Sequence, residues 1–228
     1  LNLGYKLGPA LASGCASVFK ISERTPIASM RVAELIEEVG FPKGTVHFLC
    51  GSGKVVISSL AKSRIPRLLT IIGSTLAGKK LVEHSCDSVK RLSLELGGDA
   101  PVLVFPDADL DAAVADIVGL KLANAGQICV APNRVFVHQS IYDSFIEKAK
   151  ALMESYHYLG EAGEGAELSP VVTEESLEKL VSFCETSFHQ GTVVTGGKRA
   201  DRHGYFLEPT LIKDVGRDAK LTCEEIFG

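Results

Sequence analysis

The 228-residue sequence lacks the patterns that mark several large classes of protein. No apolar run approaches the roughly 18 residues that a membrane-spanning helix needs, so a membrane is not an expected partner. Charges of both signs are interspersed, with a formal net charge of −4, and no basic block alternates with aromatic residues. Nucleic acid is therefore not an expected partner either.

Cysteine and histidine are present, but neither forms a recognisable framework. The sequence has six of each, with no CxxC pair and no HExxH motif, so disulfides and a metal site are not expected. A reducing compartment fits best, and we expect a cytoplasmic location. A small buried apolar role is the default expectation for five of the cysteines: Cys15, Cys50, Cys86, Cys184 and Cys223.

The first part of the chain alternates short apolar strands with helices. Strands are predicted at 17–20, 45–49 and 68–72, and helices at 26–39, 53–62 and 75–85. This alternation predicts right-handed crossovers and a parallel sheet, and hence an α/β domain. In the first of these helices Thr25 is the predicted N-cap and Gly40 lies just past the end. Its predicted buried face consists of Val32, Leu35, Ile36 and Val39.

The second part is predicted to be α/β as well. Strands are expected at 102–105 and 134–138, and Asp107 or Asp109 is expected to cap the helix between them. Further helices are predicted at about 140–154 and 173–190. The inward residues of the last helix are expected to be Leu177, Leu180, Val181, Cys184 and Phe188. A hinge is predicted at Gly97-Gly98-Asp99-Ala100-Pro101, which divides the chain into residues 1–98 and 99–228.

A glycine-containing turn between strand and helix is a candidate phosphate site. Gly73-Ser74-Thr75-Leu76-Ala77-Gly78 follows a predicted strand and opens a predicted helix, whose free N–H groups favour an anion. Thr75 stands where the middle glycine of the GxGxxG dinucleotide fingerprint would be, so the fingerprint is not complete. The alternative is a plain strand-to-helix turn.

Lys20 and Glu23 follow the first strand at its carboxyl end, where α/β sheets bind ligands. A carboxylate there can accept from both hydroxyls of a ribose, and a lysine can donate to one of them. The alternative for this pair is a solvated loop, and Glu225 has the same alternative as half of an exposed Glu-Glu pair.

Glu95 and Cys129 are the candidate base and nucleophile. Glu95 lies in Leu94-Glu95-Leu96-Gly97-Gly98, and Cys129 ends Gly126-Gln127-Ile128-Cys129. A carboxylate that can take a proton and a thiol that can attack carbon are the groups that a covalent thioester mechanism needs. Because an ordinary thiol is mostly protonated at neutral pH, it needs a base or a positive neighbour. The alternatives are a surface charge and a packing cysteine.

Taken together, these features closely resemble the aldehyde dehydrogenase superfamily over essentially the whole chain. Seven matches fall in family order: Leu7-Gly8-Pro9-Ala10-Leu11, Lys20 with Glu23, Thr25-Pro26, Gly73-Ser74-Thr75, Glu95-Leu96-Gly97-Gly98, Gly126-Gln127-Ile128-Cys129 and Glu225-Ile226-Phe227-Gly228. The resemblance implies an incomplete Rossmann-like cofactor domain, residues 1–98, followed by part of an α/β catalytic domain, residues 99–228.

The resemblance also implies roles for individual residues. Cys129 would attack the aldehyde, hydride would pass to the nicotinamide of NAD or NADP, and Glu95 would activate the water that hydrolyses the thioester. Base and nucleophile would face each other across the domain interface. The cofactor-binding residues implied are Lys20, Glu23, Gly73, Ser74, Leu96, Glu225 and Phe227. Glu23 points towards NAD, because its charge would repel the 2′-phosphate of NADP.

The same resemblance predicts that the chain is a central fragment. The family's Trp-Asn-Phe-Pro segment, with an Asn that helps to stabilise the oxyanion, would precede Leu1. An oligomerisation strand would follow Gly228, and the full-length protein is expected to be a homo-oligomer. Because the true start may lie elsewhere, a mitochondrial location is the alternative to the cytoplasm. The pair Gly14-Cys15 and the run Cys129–Arg134 resemble the succinate-semialdehyde branch.

Three hypotheses follow from the sequence. The first is an NAD-dependent oxidoreductase that acts on a small-molecule aldehyde. The second is a truncated, catalytically silent module that acts only in binding or assembly. The third is a CoA-acylating relative, and Glu95 argues against it because that branch generally lacks this base.

Overall fold

A computed structural model describes residues 2–160, 167–187 and 189–228 of the chain. The chain divides into two compact units, Leu1–Leu96 and Gly97–Gly228. This division lies close to the predicted boundary between Gly98 and Asp99. The roles predicted for the two parts, cofactor binding and catalysis, stay predictions.

The first unit has the strand–helix alternation that the sequence predicts. Its elements are α1 Asn2–Ala12, β1 Ser17–Lys20, α2 Pro26–Val39, β2 Val46–Leu49, α3 Gly53–Lys62, β3 Leu68–Ile72, α4 Thr75–His84 and β4 Arg91–Glu95. Strand β1 pairs with β2 and strand β3 with β4, both in parallel. The described strands therefore form two-stranded parallel sheets rather than one continuous sheet.

A small core joins α3 and α4 to strands β3 and β4. Ala61, Leu69 and Leu81 are buried, with Ile57, Ile71 and Leu94 packed against them. Gly78 of α4 allows a close approach here, since a Cβ at this position would lie 2.6 Å from the Leu96 side chain. Helix α4 and the residue after Glu95 are thus tightly packed, which fixes the end of β4.

Helix α2 begins and ends as predicted, but its apolar face is largely uncovered. Gly40 adopts the left-handed C-cap conformation with φ 83°, as a helix end favours. Thr25 occupies the N-cap without a side-chain hydrogen bond. The predicted buried face is wrong in part, because Leu35 is 43% and Val39 is 74% exposed. The two-stranded sheet of β1 and β2 is too small to cover the whole apolar face of a helix of this length.

The second unit is also built from strands and helices. Its elements are β5 Pro101–Val104, α5 Leu110–Leu122, β6 Arg134–Val137, α6 Tyr142–Glu154, β7 His157–Tyr158, β8 Glu167–Leu168, α7 Glu174–Ser187, β9 Thr192–Thr195, β10 Leu211–Lys213 and α8 Lys220–Cys223. Strand β5 pairs with β6 and β7 with β8 in parallel, and β9 pairs with β10 in antiparallel orientation. Helix α7 ends at Ser187, earlier than predicted, and Phe188 lies outside the described residues.

Helices α5 and α6 pack against β5 and β6 to form the main core of this unit. Its buried residues are Val104, Val114, Val118, Leu122, Phe145, Ala149, Met153 and Leu168. Asp109, rather than Asp107, caps α5, because its Oδ1 accepts from the Ala112 N–H at 3.1 Å. Such a cap contributes about 1 kcal/mol. Helix α5 leads directly into the segment that carries Cys129, so its rigidity matters for the site.

The cysteines differ from the default expectation. Cys184 is buried, and burial raises the pKa of its thiol. The expectation of burial is wrong for the other four, because Cys15, Cys50, Cys86 and Cys223 are exposed. These four lie at or near element ends, where no neighbouring layer covers them. None of the described helices is both long and apolar enough to cross a membrane.

Candidate active site

Lys20 and Glu23 meet at the carboxyl end of β1. Lys20 Nζ lies 2.8 Å from Glu23 Oε2, and the Glu23 side chain is 48% exposed. The hydrogen bond from Lys20 is the main cause that lowers the pKa of Glu23, and the Gly53 N–H at the start of α3 adds a further hydrogen bond. Glu23 is therefore an ionised, accessible acceptor beside a cation, an arrangement that suits a ligand diol.

Gly73 and Ser74 form the turn between β3 and α4, and both are exposed. Ser74 is the N-cap of α4, and its Oγ accepts from the Ala77 N–H at 3.2 Å. The hydroxyl hydrogen stays available, as do the first N–H groups of the helix, which have no partner within it. This exposed helix start has the donors that an anionic group requires.

Glu95 ends β4 and lies opposite Ile72, the residue before Gly73. The Gly73 N–H donates to the Glu95 carbonyl at 3.0 Å, so the two predicted sites of the first unit are neighbours. Lys6 of α1 donates to Glu95 Oε1 at 3.2 Å. The Lys6 side chain is 19% exposed and that of Glu95 is 59% exposed, so a partly buried ammonium holds an accessible carboxylate.

Lys6 is the site residue that sequence reasoning missed. It lies directly before the Leu7-Gly8-Pro9-Ala10-Leu11 match, in the helix α1. The signal available in the sequence was a single cation next to a family motif. A lone lysine has no periodicity that would point to a partner so far along the chain.

Cys129 is exposed, in a loop that follows α5. The loop begins with a 3₁₀ turn, Ala123–Gly126, in which Asn124 and Ala125 have φ values of 51° and 53°. Left-handed conformation costs non-glycine residues roughly 1–2 kcal/mol each. Strain of this kind persists only where neighbouring groups hold it, and it clusters at functional sites.

The side chain of Gln127 holds this left-handed turn. Its Nε2 donates to the Asn124 carbonyl at 2.9 Å, and its Oε1 accepts from the Val172 N–H at 2.9 Å. Asn124 Nδ2 in turn donates to the Gln127 carbonyl at 3.2 Å. These three hydrogen bonds cross-link the loop that carries Cys129.

Glu225 packs against the backbone of the predicted hinge. A Cβ on Gly97 would overlap the Glu225 carboxylate, so any larger residue at this position would have to displace that side chain. Lys179 of α7 donates to the Glu225 carbonyl at 3.3 Å, and Ile226 packs against buried Val171, Leu177 and Leu180. Phe227 is 45% exposed and has a left-handed φ of 56°.

Two further contacts bring the same segments together within the second unit. A Cβ on Gly98 would lie 3.9 Å from the Cys129 carbonyl oxygen, and a Cβ on Gly126 would overlap Gly228. The Gly97-Gly98 backbone, the Cys129 loop and the Glu225–Gly228 segment are therefore close neighbours. The pairing of Glu95 with Cys129 joins the two units and stays a prediction.

A partly buried polar cluster lies at both ends of the Cys129 loop. Lys121 Nζ donates to Asn133 Oδ1 at 2.7 Å, and Arg134 Nε lies 2.8 Å from Asp99 Oδ2. Burial lowers the pKa of Lys121 to about 8, and burial likewise raises the pKa of Asp99. Charge is therefore held beside the loop at a cost, because both pKa values are shifted in the direction that disfavours the charged form.

The sequence profile of the aldehyde dehydrogenase family matches residues 1–228. The chain belongs to the aldehyde dehydrogenase family. This confirms the family that the ordered motifs predicted. The members most similar to it include an NADP(+) succinate-semialdehyde dehydrogenase of Escherichia coli, 39% identical over 98% of this chain and 46% of the relative. A glutarate-semialdehyde dehydrogenase of Pseudomonas aeruginosa is also 39% identical, with the same coverage.

Solved structures of the family share the fold. The crystal structure of succinate-semialdehyde dehydrogenase from Burkholderia pseudomallei matches with a TM-score of 0.94 and 39% identity, over 99% of this chain and 47% of that chain. Betaine aldehyde dehydrogenase from Staphylococcus aureus, in complex with NAD+, matches with a TM-score of 0.91 and 35% identity over 98% of this chain and 46% of that chain. The predicted α/β fold of aldehyde dehydrogenase type is thereby confirmed. The chain spans about half the length of these relatives.

Proposed function

We propose that this chain carries the catalytic groups of an NAD(P)-dependent dehydrogenase that oxidises an aldehyde to a carboxylic acid. The observation that carries the proposal is the exposed Cys129 thiol, which follows a strained and cross-linked turn in a chain that matches the family model over residues 1–228. A thiol placed in this way can attack carbon, and the held backbone gives the attack a defined direction.

The chemistry begins with bond formation at the sulfur. Cys129 Sγ adds to the carbonyl carbon and gives a tetrahedral thiohemiacetal, whose oxygen needs hydrogen-bond donors. Loss of hydride from that carbon leaves a thioester on Cys129. Glu95 accepts a proton from the water that attacks the thioester. The C–S bond breaks, the sulfur leaves with the bonding electron pair, and the proton held by Glu95 passes to it, which restores the thiol and releases the acid.

Lys6 supports Glu95 in this scheme. Its ammonium, hydrogen-bonded to Glu95 Oε1, orients the carboxylate and leaves the second oxygen for a water molecule. The remaining exposure of Glu95 is consistent with a base that must reach a ligand rather than stay within the fold.

The residues present fit a nicotinamide dinucleotide. When bound, the cofactor supplies the hydride acceptor. Lys20 and Glu23 have the donor and acceptor that a ribose diol requires, and Gly73 with Ser74 presents an exposed helix start to a pyrophosphate. We assign Leu96, Glu225 and Phe227 to the nicotinamide side, because Glu225 packs on Gly97 directly after Leu96.

For the substrate we propose a short semialdehyde. The support is the similarity to succinate- and glutarate-semialdehyde dehydrogenases. No charged residue lies between Lys121 and Arg134 in the Cys129 loop, so a substrate carboxylate would be bound by other segments. A substrate panel in which a long aliphatic aldehyde is oxidised faster than a short semialdehyde would contradict this assignment. For the full-length protein we propose a homo-oligomer in a reducing compartment.

The function is tested by following NADH formation in the full-length protein with two substitutions. Cys129→Ala should abolish hydride transfer, because no thiohemiacetal can form. Glu95→Gln should keep the first burst of NADH and slow the steady rate by about 10²-fold or more, since only thioester hydrolysis needs the base. A Cys129→Ala variant that still forms NADH at the wild-type rate would sink the proposal. No NADH from the wild type would favour the silent binding module.

A further inference from the structure

The side chain of Gln127 forms one hydrogen bond within the turn that precedes Cys129 and one with a segment outside the loop. One end of its amide donates within the turn, to the Asn124 carbonyl, and the other end accepts from Val172 outside the loop. We propose that Gln127 is the positioning residue for the Cys129 thiol: it touches no reacting atom but fixes where the thiol stands. This inference rests on the proposed function, which makes Cys129 the nucleophile.

The chemistry of the amide allows one orientation only. A backbone N–H can be satisfied only by the amide oxygen, and a backbone carbonyl only by the amide nitrogen. Val172 supplies the N–H and Asn124 supplies the carbonyl, so a flipped Gln127 would lose both hydrogen bonds. The position therefore needs a donor and an acceptor at the two ends of one side chain.

Val172, the hydrogen-bond partner of Gln127 outside the loop, lies in a segment that is held by packing and by a helix cap. Val172 precedes Thr173, whose Oγ1 accepts from the Ser176 N–H at 3.1 Å in the first turn of α7. Val171, next to Val172, is 4% exposed and packs with Leu177 and Leu180 of α7, and Ala125 of the turn packs against the same cluster. Gln127 thus joins the strained turn to the start of a packed helix.

Matched variants separate the contributions of the two Gln127 hydrogen bonds, which together we call the Gln127 clamp. Gln127→Met has a similar length but removes both the donor and the acceptor. Gln127→Glu keeps an acceptor for the Val172 N–H, whereas its ionised form cannot donate to the Asn124 carbonyl. A protonated Glu can donate, so this variant should regain wild-type behaviour as the pH falls. Gln139→Met, at an exposed glutamine of the same unit, is the control.

The first measurement does not depend on enzyme activity. Iodoacetamide alkylation is followed separately at each cysteine by peptide mass spectrometry, and the rate at Cys129 is divided by the rate at exposed Cys50. In Gln127→Met this ratio should change by at least about two- to tenfold, the factor that a single lost hydrogen bond gives, because both hydrogen bonds of the side chain are lost. In Gln127→Glu it should approach the wild-type ratio as the pH is lowered.

The second measurement is steady-state NADH formation. In Gln127→Met we expect kcat to fall by about 10²-fold, as misplacement of a reacting group by about 1 Å does, with the KM for NAD within about twofold. The inference would be overturned if Gln127→Met had the alkylation ratio and the kcat of the wild type. It would also be overturned if the alkylation ratio of Gln127→Glu did not approach that of the wild type as the pH is lowered. A shifted alkylation ratio beside a wild type that forms no NADH would leave the clamp standing and reject the proposed function.

Discussion

At the scale of single residues, Glu23 sets an expectation for cofactor choice. It is ionised, because Lys20 lowers its pKa, and it remains about half exposed to a ligand. A 2′-phosphate carries roughly two negative charges, and each would be repelled by about 1 kcal/mol at 4 Å in water. The Escherichia coli relative is nevertheless an NADP(+) enzyme, so this residue deserves a direct measurement.

Glu23→Ser is expected to raise the kcat/KM for NADP relative to that for NAD by about tenfold, because the repulsion is removed. The two constants are measured on the full-length protein with one aldehyde. Glu37→Ser, at an exposed carboxylate of α2, is the matched control and should leave the ratio unchanged. A wild type that already prefers NADP strongly would contradict the role given to Glu23.

The sequence suggested candidate residues for the site but not the groups that surround them. Lys20 with Glu23 could be predicted because a cation and a carboxylate stand at a strand end. Lys6 could not, because its partner Glu95 is distant in sequence and no local pattern joins them. The role of Gln127 also depends on a distant group, the Val172 N–H, which only the folded chain brings near.

At the scale of elements, the Glu225 carboxylate lies directly against the Gly97 backbone. Gly97→Ala places a methyl group in the space of the Glu225 carboxylate. We expect the KM for NAD to rise about tenfold, the factor for one weakened charge-assisted hydrogen bond, with kcat less affected. A KM for NAD that is unchanged in Gly97→Ala would contradict the proposed link between Gly97 and cofactor binding by Glu225.

Gly119 offers the control for that experiment. It lies inside α5, and a Cβ there would meet nothing within 4 Å. Gly119→Ala should raise the free energy of unfolding by roughly 0.5–1 kcal/mol and leave the KM for NAD unchanged, because alanine favours a helix interior. Chemical denaturation measures the first effect, and the NAD titration measures the second.

Most helices and the longer strands were predicted within a few residues, and the strands near the end of the chain were missed. Strands β1, β3 and β6 begin where the sequence places them, because each is a run of apolar or β-branched residues. Strands β7, β8 and β10 were not predicted, since two or three residues carry no periodic signal. Strand β9 was missed although it is as long as β1 and β6. The buried face of α2 failed for a different reason, because burial depends on what covers a helix and not on its own pattern.

At the scale of the whole molecule, Lys121 links stability to pH. Its pKa is about 8 in the folded chain, below the ordinary value of 10.5, because it is buried. Between these two values the unfolded chain binds more protons than the folded one, so this residue makes stability rise with pH. Below pH 8 the buried charge costs up to about 3 kcal/mol, from 1.36 kcal/mol for each pKa unit.

Lys121→Met should remove this rise. The free energy of unfolding is measured with urea for the wild type and the variant at pH 7, 9 and 10. Between pH 7 and pH 10 the wild type should become more stable relative to the variant by about 2–3 kcal/mol. Lys150→Met, at a partly exposed lysine of α6, should show no such pH dependence. Parallel pH profiles for wild type and Lys121→Met would contradict the burial of the ammonium.

Five of the six thiols are open to solvent, and Cys129 is only one of them. A total-thiol count would therefore say little about the state of the nucleophile. Air oxidation can join two copies of the chain through Cys15, Cys50, Cys86 or Cys223 while Cys129 stays intact, and it can equally consume Cys129 first. Kinetic measurements on this protein therefore require purification in a reducing agent. Inhibitor studies must identify which cysteine each inhibitor has modified.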